Sequence, residues 1–354
     1  MSGPTDDELN SLISAVNLHS GNVAETARVL NMSRTTLRKR LDQANKRGLT
    51  TLRGKVGEHI IDEPPKIEYP DFPSDDVPVN EIIQTMKKRF ARRYENKRAK
   101  RWFPVKINMH GPVGISFFGD PHVDNNGCNW DLLHHHCELH RTTEGLFGVN
   151  IGDTTDNWVG RLGRLYADSD TSKHTARLLA DWFLKESGVT WACWLLGNHD
   201  SWNEGDAILK GMNAASVPLE DWQAQFRVVL PKIECRVWAA HQFPGNSMWN
   251  SLHGLNRAAQ MKDWAHIYVA GHTHNWAIHQ EESASKEFVY WLCRSRGYKF
   301  IDEYAERLGH ASQQEGASVT AIIDPEASTL SGFVQCYADM DEAVEFLKWK
   351  RRKN

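Results

Sequence analysis

Asp120 and His122 in GDPHVD, Asp153 and Asp156 in GDTTDN, Asn198 and His199 in GNHD, His241 in AAHQ, and His272 and His274 in GHTH form five clusters of carboxylate, imidazole and amide groups. These are ligand types for hard or borderline dications. Seven such side chains can hold two adjacent ions if one carboxylate bridges them. Two ions roughly 3.5–4 Å apart are suited to clamping the attacking and leaving oxygens of a phosphoryl displacement. The chemistry this pattern points to is metal-assisted reaction at phosphorus.

Each cluster stands where an apolar run stops. VGISFF, FGVNI, WACWLL, RVWAA and HIYVA read as buried strands, and FVYWLC, VTAIID and SGFVQCY continue the series. Loops after strand ends are where layered folds place reacting groups. Helical runs lie between several strands, around DLLHHHCELH, HTARLLADWFL and LNRAAQMKDWA. A layered α/β or α+β domain is expected.

Taken in order, D-x-H, G-D-x-x-D, G-N-H-D, H and G-H-x-H over about residues 113–340 resemble the calcineurin-like metallophosphoesterase superfamily. The resemblance implies a two-sheet β-sandwich flanked by helices. It implies that Asp120, His122 and His274 bind one ion, that Asn198, His241 and His272 bind the other, and that Asp153 bridges both. A hydroxide held between the ions would be the nucleophile. His199 is then left to protonate or stabilise the leaving oxygen. Asp156 matches the family position that orients this imidazole, with Asp200 as the competing orienter. The implied cofactors are two divalent ions, manganese first and iron, zinc or nickel as alternatives, because this ligand set does not choose among them.

Other polar groups are weighed against plainer roles. His134, His135, His136 and His140 resemble a metal tract but fall outside the motif order, and surface positions are expected for them. Arg161 and Arg164, in the glycine-containing loop after Asp156, are candidates to hold a substrate phosphate. Trp158, Trp202, Trp249 and Trp276 follow motifs closely and could rim a cleft, whereas Trp191, Trp194 and Trp238 read as core.

Ahead of this domain, residues 5–48 read as short helices, with Leu9, Leu12, Ile13 and Val16 on one face. Asn22 and Ser33 are candidate N-caps, and Asn31 tolerates the left-handed backbone of a tight turn. AETARVLNMSRTTLRKRL resembles a helix-turn-helix of the Fis type, with Ala27, Leu30, Met32, Leu37 and Leu41 at its core positions. That resemblance implies a DNA partner met by Arg34, Thr35, Arg38, Lys39 and Arg40.

The expected organisation is a helix-turn-helix module over 1–48, a proline-rich linker over 49–80, a basic amphipathic helix over 81–106 and a metallophosphoesterase domain over 107–354. Between Lys87 and Arg101 there are nine Lys or Arg against one Glu, which suits either phosphate contact or a solvated face. KWKRRKN at the end of the chain reads as a tail that can fray.

A net charge of -3 with 25% charged residues makes any nucleic-acid surface local. Six scattered cysteines without a CxxC pair, no apolar leader and no apolar run near the roughly 20 residues that span a bilayer favour a cytoplasmic chain without a membrane partner. The reading favoured here is a phosphodiesterase acting on DNA, as a nuclease or end-processing enzyme. A phosphomonoesterase using the module only for targeting is the alternative. A non-enzymatic DNA-binding regulator comes third, since it predicts damage to the metal set and none is visible.

Overall fold

Alternation along each strand decides which core its side chains enter. In β2 (Val113–Phe118), Val113, Ile115 and Phe117 join one core and Phe118 another. In β8 (Ile267–Ala270), Ile267 and Val269 join that same first core while Tyr268 and Ala270 face the opposite way. The first core is therefore the layer between two sheets.

The structure, a computed structural model, describes residues 3–49, 69, 76–213, 217–247, 249–283, 288–301, 306 and 316–353. The chain divides into two compact units, Met1–Glu81 and Ile82–Asn354. The larger holds two six-stranded mixed sheets. One runs β12 (Val334–Tyr337), β11 (Ser318–Ile323), β2, β3 (Leu146–Asn150), β4 (Trp191–Leu196), β5 (Leu219–Asp221). The other runs β1 (Arg101–Lys106), β6 (Gln223–Val229), β7 (Glu234–Ala240), β8, β10 (Phe288–Arg294), β9 (Ala277–Ser283). In the first sheet β2, β3, β4 and β5 are parallel, and in the second β7, β8 and β10 are parallel.

Helices cover both outer faces. Leu133 and Cys137 of helix Trp130–Thr142, Phe183 and Leu184 of Lys173–Lys185, and Met340, Val344 and Leu347 of Met340–Lys353 pack with Phe118 and Trp194 of the first sheet. Leu255 and Ala258 of His253–Met261 pack with Trp238, Tyr268 and Leu292 of the second. The expected sandwich of two sheets between helices is the one observed. All six cysteines are free. Among the described residues no helix is long and apolar enough to cross a membrane.

The small unit contains helices Asp6–Leu18, Val23–Val29 and Arg34–Lys46. Thr5 and Glu8 form a capping box on the first, the Asn22 side chain accepts from Ala24 and Glu25 amides at the second, and Ser33 accepts from Thr36 at the third. Asn31 turns the chain with φ of 48°. Leu9, Leu12, Ile13, Val16, Ala27 and Leu37 are buried as the periodicity requires. Leu30, expected in that core, is instead exposed, because it follows the last turn of the second helix.

Three expectations need correction. The basic helix spans Val79–Ala99 rather than 81–106, and Arg101–Lys106 form an edge strand parallel to β6. Pro104 lacks the amide a helix needs there, and an edge strand tolerates it. His136 and His140 are buried, whereas His134 and His135 are exposed, so the histidine tract straddles the inner and outer faces of its helix. The C-terminal basic cluster is not frayed: Lys350 pairs with Asp324 at 2.7 Å, and Arg351 with Glu144 at 2.8 Å. Most of the expected linker, 50–68 and 70–75, lies outside the described residues.

Candidate metal centre

β2, β3 and β4 end in Gly119-Asp120, Gly152-Asp153 and Gly197-Asn198, and β7 and β8 end at His241 and Gly271-His272. Parallel neighbours deliver their C-terminal ends to one edge of a sheet, so each sheet brings its ligand-type residues together. The backbone there is unusual. Asp120, His122, Asp153, His272 and His274 have φ of 42°, 41°, 55°, 69° and 49°, a left-handed region that side-chain-bearing residues rarely enter. Such a conformation costs of order 1–3 kcal/mol per residue and persists only where its surroundings enforce it. Here the loops brace one another: His122 N donates to Asp153 O at 3.1 Å, His272 N to Asp120 Oδ2 at 2.8 Å, and His199 N to Asp153 Oδ1 at 2.9 Å. Gly197 and Gly271 permit this closeness. A Cβ at Gly197 would overlap Asp153 Oδ1, and one at Gly271 would overlap Asp120 Oδ2.

Around His241 four ligand atoms converge. Its Nε2 stands 3.0 Å from Asn198 Oδ1, 3.0 Å from His272 Nδ1 and 3.3 Å from Asp153 Oδ2. Its Nδ1 donates to Ile151 O at 3.0 Å, which leaves Nε2 as the lone-pair nitrogen. Spacings near 3 Å are those of donor atoms sharing one ion with bonds of about 2.0–2.2 Å.

On the other side, ligand atoms of Asp120, His122 and His274 lie within 4.8 Å of one another. Asp120 Oδ1 and His122 Nε2 are buried without a hydrogen-bond partner, while His122 Nδ1 faces the Asp156 carboxylate. Buried polar atoms are rarely left so, and an oxygen and an imidazole nitrogen orphaned together fit a cation. All seven residues expected as ligands are thus gathered in two adjoining groups.

The charges respond to burial. Burial pushes the Asp120 carboxyl up to about 7, with His241 opposing the rise and Asp153 adding to it. For Asp153 burial acts upward too, but His241 and His199 outweigh it and hold the carboxyl below the usual range. Burial pushes His272 down to about 4.

His199 is also pushed down to about 4 by burial, against the pull of Asp153. Its Nδ1 meets the main-chain carbonyl of Asp156, not the Asp156 carboxylate. That carboxylate has other neighbours: His122 Nδ1 at 2.8 Å, without hydrogen-bond alignment, Asn125 Nδ2 at 2.5 Å and Lys299 Nζ at 3.8 Å. Asp156 therefore orients His199 through its backbone, a role that residue identity alone does not announce. Asp200 does not orient it either. Its carboxylate accepts from Gly197 N at 2.9 Å and Thr154 N at 3.0 Å, tying two ligand loops together.

Residues 8–43 match the Fis family of bacterial regulatory proteins. No curated protein matches the chain. Among solved structures it is similar to the NAD nucleotidase NadN of Haemophilus influenzae, with TM-score 0.35 and 9% identity over 64% of this chain and 49% of that one. The chain thus spans about half the length of that nucleotidase. A conserved uncharacterized protein of Streptococcus pneumoniae TIGR4, described as a predicted phosphoesterase, gives 0.30 and 11% over 65% and 100%. Vps29 of Chaetomium thermophilum gives 0.31 and 11% over 64% and 96%. Similarities of this order add nothing to the reading of the centre, which stands on its own geometry.

In the Fis-type module, Arg34, Thr35, Arg38 and Lys39 are exposed and Arg40 is half-buried. At 100° per residue the first four share one face of their helix and Arg40 lies off it. Arg161 and Arg164 are exposed on the 3₁₀ segment Gly160–Asp168.

Several residues support the centre, and of these Arg294 and Trp222 were not anticipated from the sequence. Arg294, at the end of β10, donates to Gly271 O at 2.8 Å, Thr273 Oγ1 at 2.6 Å and Ser251 O at 2.7 Å, pinning the GHTH loop. Asp124 Oδ1 accepts from Asp156 N at 2.7 Å. Trp158 and Trp202 pack on His199, with ring centroids 4.8 and 4.2 Å away, and Trp222 packs on His241 at 5.2 Å. The polar run RSRGYK directly after an apolar strand carried the same signal as the five clusters.

Proposed function

We propose that this chain is a dimetal phosphoesterase that hydrolyses phosphodiester bonds in DNA, as a nuclease or end-processing enzyme of the cytoplasm. The observation that carries the reading is the meeting of Asp120, His122, Asp153, Asn198, His241, His272 and His274 from both sheets, with buried donor atoms left unpartnered. When bound, a pair of dications, manganese first, supplies Lewis-acid stabilisation of a phosphoryl oxygen and acidifies water. The chain's residues do the rest. Asp153 braces both halves of the centre, and Trp158 and Trp202 shield His199 from solvent. With Nδ1 given to a carbonyl, His199 carries a proton on Nε2 only as the imidazolium, which an anionic substrate favours and burial opposes. Arg161 and Arg164 are assigned to substrate phosphate, and Arg34, Thr35, Arg38, Lys39 and Arg40 to DNA. The Fis-family match supports DNA as the substrate.

The test is a panel of single-stranded, double-stranded and nicked DNA beside an aryl phosphomonoester, all in one manganese buffer, with D153N and H199A as controls. DNA cleavage lost in D153N is expected. Strong monoester turnover with intact DNA would instead make the chain a phosphomonoesterase. Binding of DNA with no turnover of any ester would make it a regulator.

A further inference from the structure

Trp222 is the single residue between β5 and β6, so the chain crosses from one sheet to the other at this position. Its φ is 65°, a left-handed backbone that a bulky side chain rarely adopts. Three hydrogen bonds hold it there: Trp222 N donates to Leu196 O at 3.1 Å, His241 N donates to Trp222 O at 2.7 Å, and the indole Nε1 donates to Gln242 O at 3.1 Å. Leu196 ends β4 just ahead of Asn198, and His241 follows β7, so the indole is tied to the two strands that supply those ligands. Strain of this kind persists where the surroundings enforce it, and it gathers at functional sites.

The ring meets the centre, with its centroid 5.2 Å from that of His241 and 6.3 Å from that of His272. Trp222 is half-buried, and it also lines a cavity of about 180 Å³ with Gln242, Phe243, Pro244, Gly245 and Asn246. None of these six residues is charged, so a phosphate would find no counter-charge inside. The volume is below the roughly 300–1,000 Å³ of sites for drug-sized ligands and suits one flat ring system. Gln242 Nε2 donates to Asn246 Oδ1 at 3.1 Å, which places two amides at the cavity. Amides carry both donors and acceptors for the polar edge of such a ring. A neutral heterocycle with a polar edge, set against an indole beside a centre built for phosphorus chemistry, has the chemistry of a nucleobase.

We propose that Trp222 and the cavity it shares with residues 242–246 bind a nucleobase of the substrate, holding the attached phosphate at the metal centre. The inference rests on the dimetal reading above and narrows its substrates to nucleotide esters. Trp222 is the specificity-determining residue: it joins base recognition to the strands that carry Asn198 and His241.

The experiment is isothermal titration calorimetry on the manganese-loaded full-length chain. It compares thymidine 5′-monophosphate with 2-deoxyribose 5-phosphate, which keeps the sugar and phosphate but lacks the base. Wild type, W222F, W222L and N246A are titrated, with circular dichroism to verify folding. Wild type should bind the nucleotide about 5–150-fold more tightly, the worth of one stacked base. W222F should keep most of that ratio, and W222L should abolish it. N246A, a change at an exposed position, should lower it by about 2–10-fold, as expected for one hydrogen bond. The ratio is decisive because a Trp222 that merely shapes the centre alters both affinities together and leaves their ratio alone. Equal binding of the two compounds by wild type, or a wild-type ratio in W222L, overturns the proposal. Failure of the dimetal reading shows separately, as a wild type that retains no manganese, and takes this inference with it.

Discussion

His241 Nε2 and Asn198 Oδ1 stand 3.0 Å apart although they leave strands of different sheets and are 43 residues apart in sequence. His272 Nδ1 lies at the same distance from that nitrogen. With His241 Nδ1–H given to Ile151 O, three lone-pair atoms face one another in a partly buried space, an arrangement that needs a cation or a proton among them. Burial works against an imidazolium here, yet the Asp153 carboxylate outweighs it and lifts His241 to about 9. Replacing His241 by Ala should therefore lower bound manganese from two ions to one per chain. Turnover should drop by at least about 10²-fold, equivalent to about 2.7 kcal/mol of barrier. Two ions held at wild-type affinity in this variant would detach His241 from the centre.

Gly197 and Gly271 test whether the two halves must approach as closely as they do. Gly197→Ala sets a methyl against Asp153 Oδ1, and Gly271→Ala sets one against Asp120 Oδ2. Neither oxygen can retreat freely, since the Asp153 and Asp120 carboxylates hold the His199 and His272 amides. Each variant should stay folded with a stability loss of about 1–3 kcal/mol, and metal affinity should fall. Denaturant unfolding beside manganese titration checks this. Unchanged affinity in both would show that the loops flex enough to make their spacing irrelevant.

Most of the centre was legible because strand ends, a preceding glycine and ligand-type residues all leave marks in one dimension. Strand alternation likewise fixed which side of β2 and β8 meets the other sheet. What stayed hidden depends on atoms rather than residue types. Nothing in GDTTDN tells that Asp156 meets His199 through its carbonyl and His122 through its carboxylate. Helix ends were the other weakness: Leu30 and residues 101–106 continue a helical pattern in composition, but a turn at Asn31 and a ladder with β6 decide their places.

His199 should matter in proportion to the difficulty of the leaving group. An aryl oxide departs without help, whereas a sugar alkoxide needs a proton or a hydrogen bond. H199Q is expected to lose about 10²–10⁴-fold on an alkyl or DNA diester and much less on bis-p-nitrophenyl phosphate. Steady-state rates on the two esters decide it. Equal losses would assign His199 to the shape of the centre rather than to the departing oxygen.

Arg34 and Arg38, one turn apart on the exposed face of their helix, should each neutralise one DNA phosphate. In R34A/R38A the slope of log K against log salt for duplex DNA should shrink by about 0.9 for each phosphate left without its arginine. Turnover of a small aryl ester should stay at the wild-type level. Fluorescence anisotropy across a salt series measures the slope. An unchanged slope would remove these two arginines from the DNA interface.

The buried half of the histidine tract predicts an acid weakness. Burial pushes His136 down to about 4 and His140 down to about 3, each lowered a little further by a neighbouring histidine. Unfolded, both titrate near 6.5. Above that pH neither state binds the proton, and their contribution is fully present. As pH falls below 6.5 the unfolded chain takes up protons that the folded one refuses, so stability declines until the folded values are reached. The slope approaches about 1.4 kcal/mol per pH unit for each residue. His140, whose two ring nitrogens have no hydrogen-bond partner, is the one to remove. Urea unfolding of H140L at pH 7, 6 and 5 should show a shallower decline than wild type by about that amount, while acid loss of metal affects both proteins alike. Parallel curves for the two proteins would mean that His140 is protonated in the folded chain.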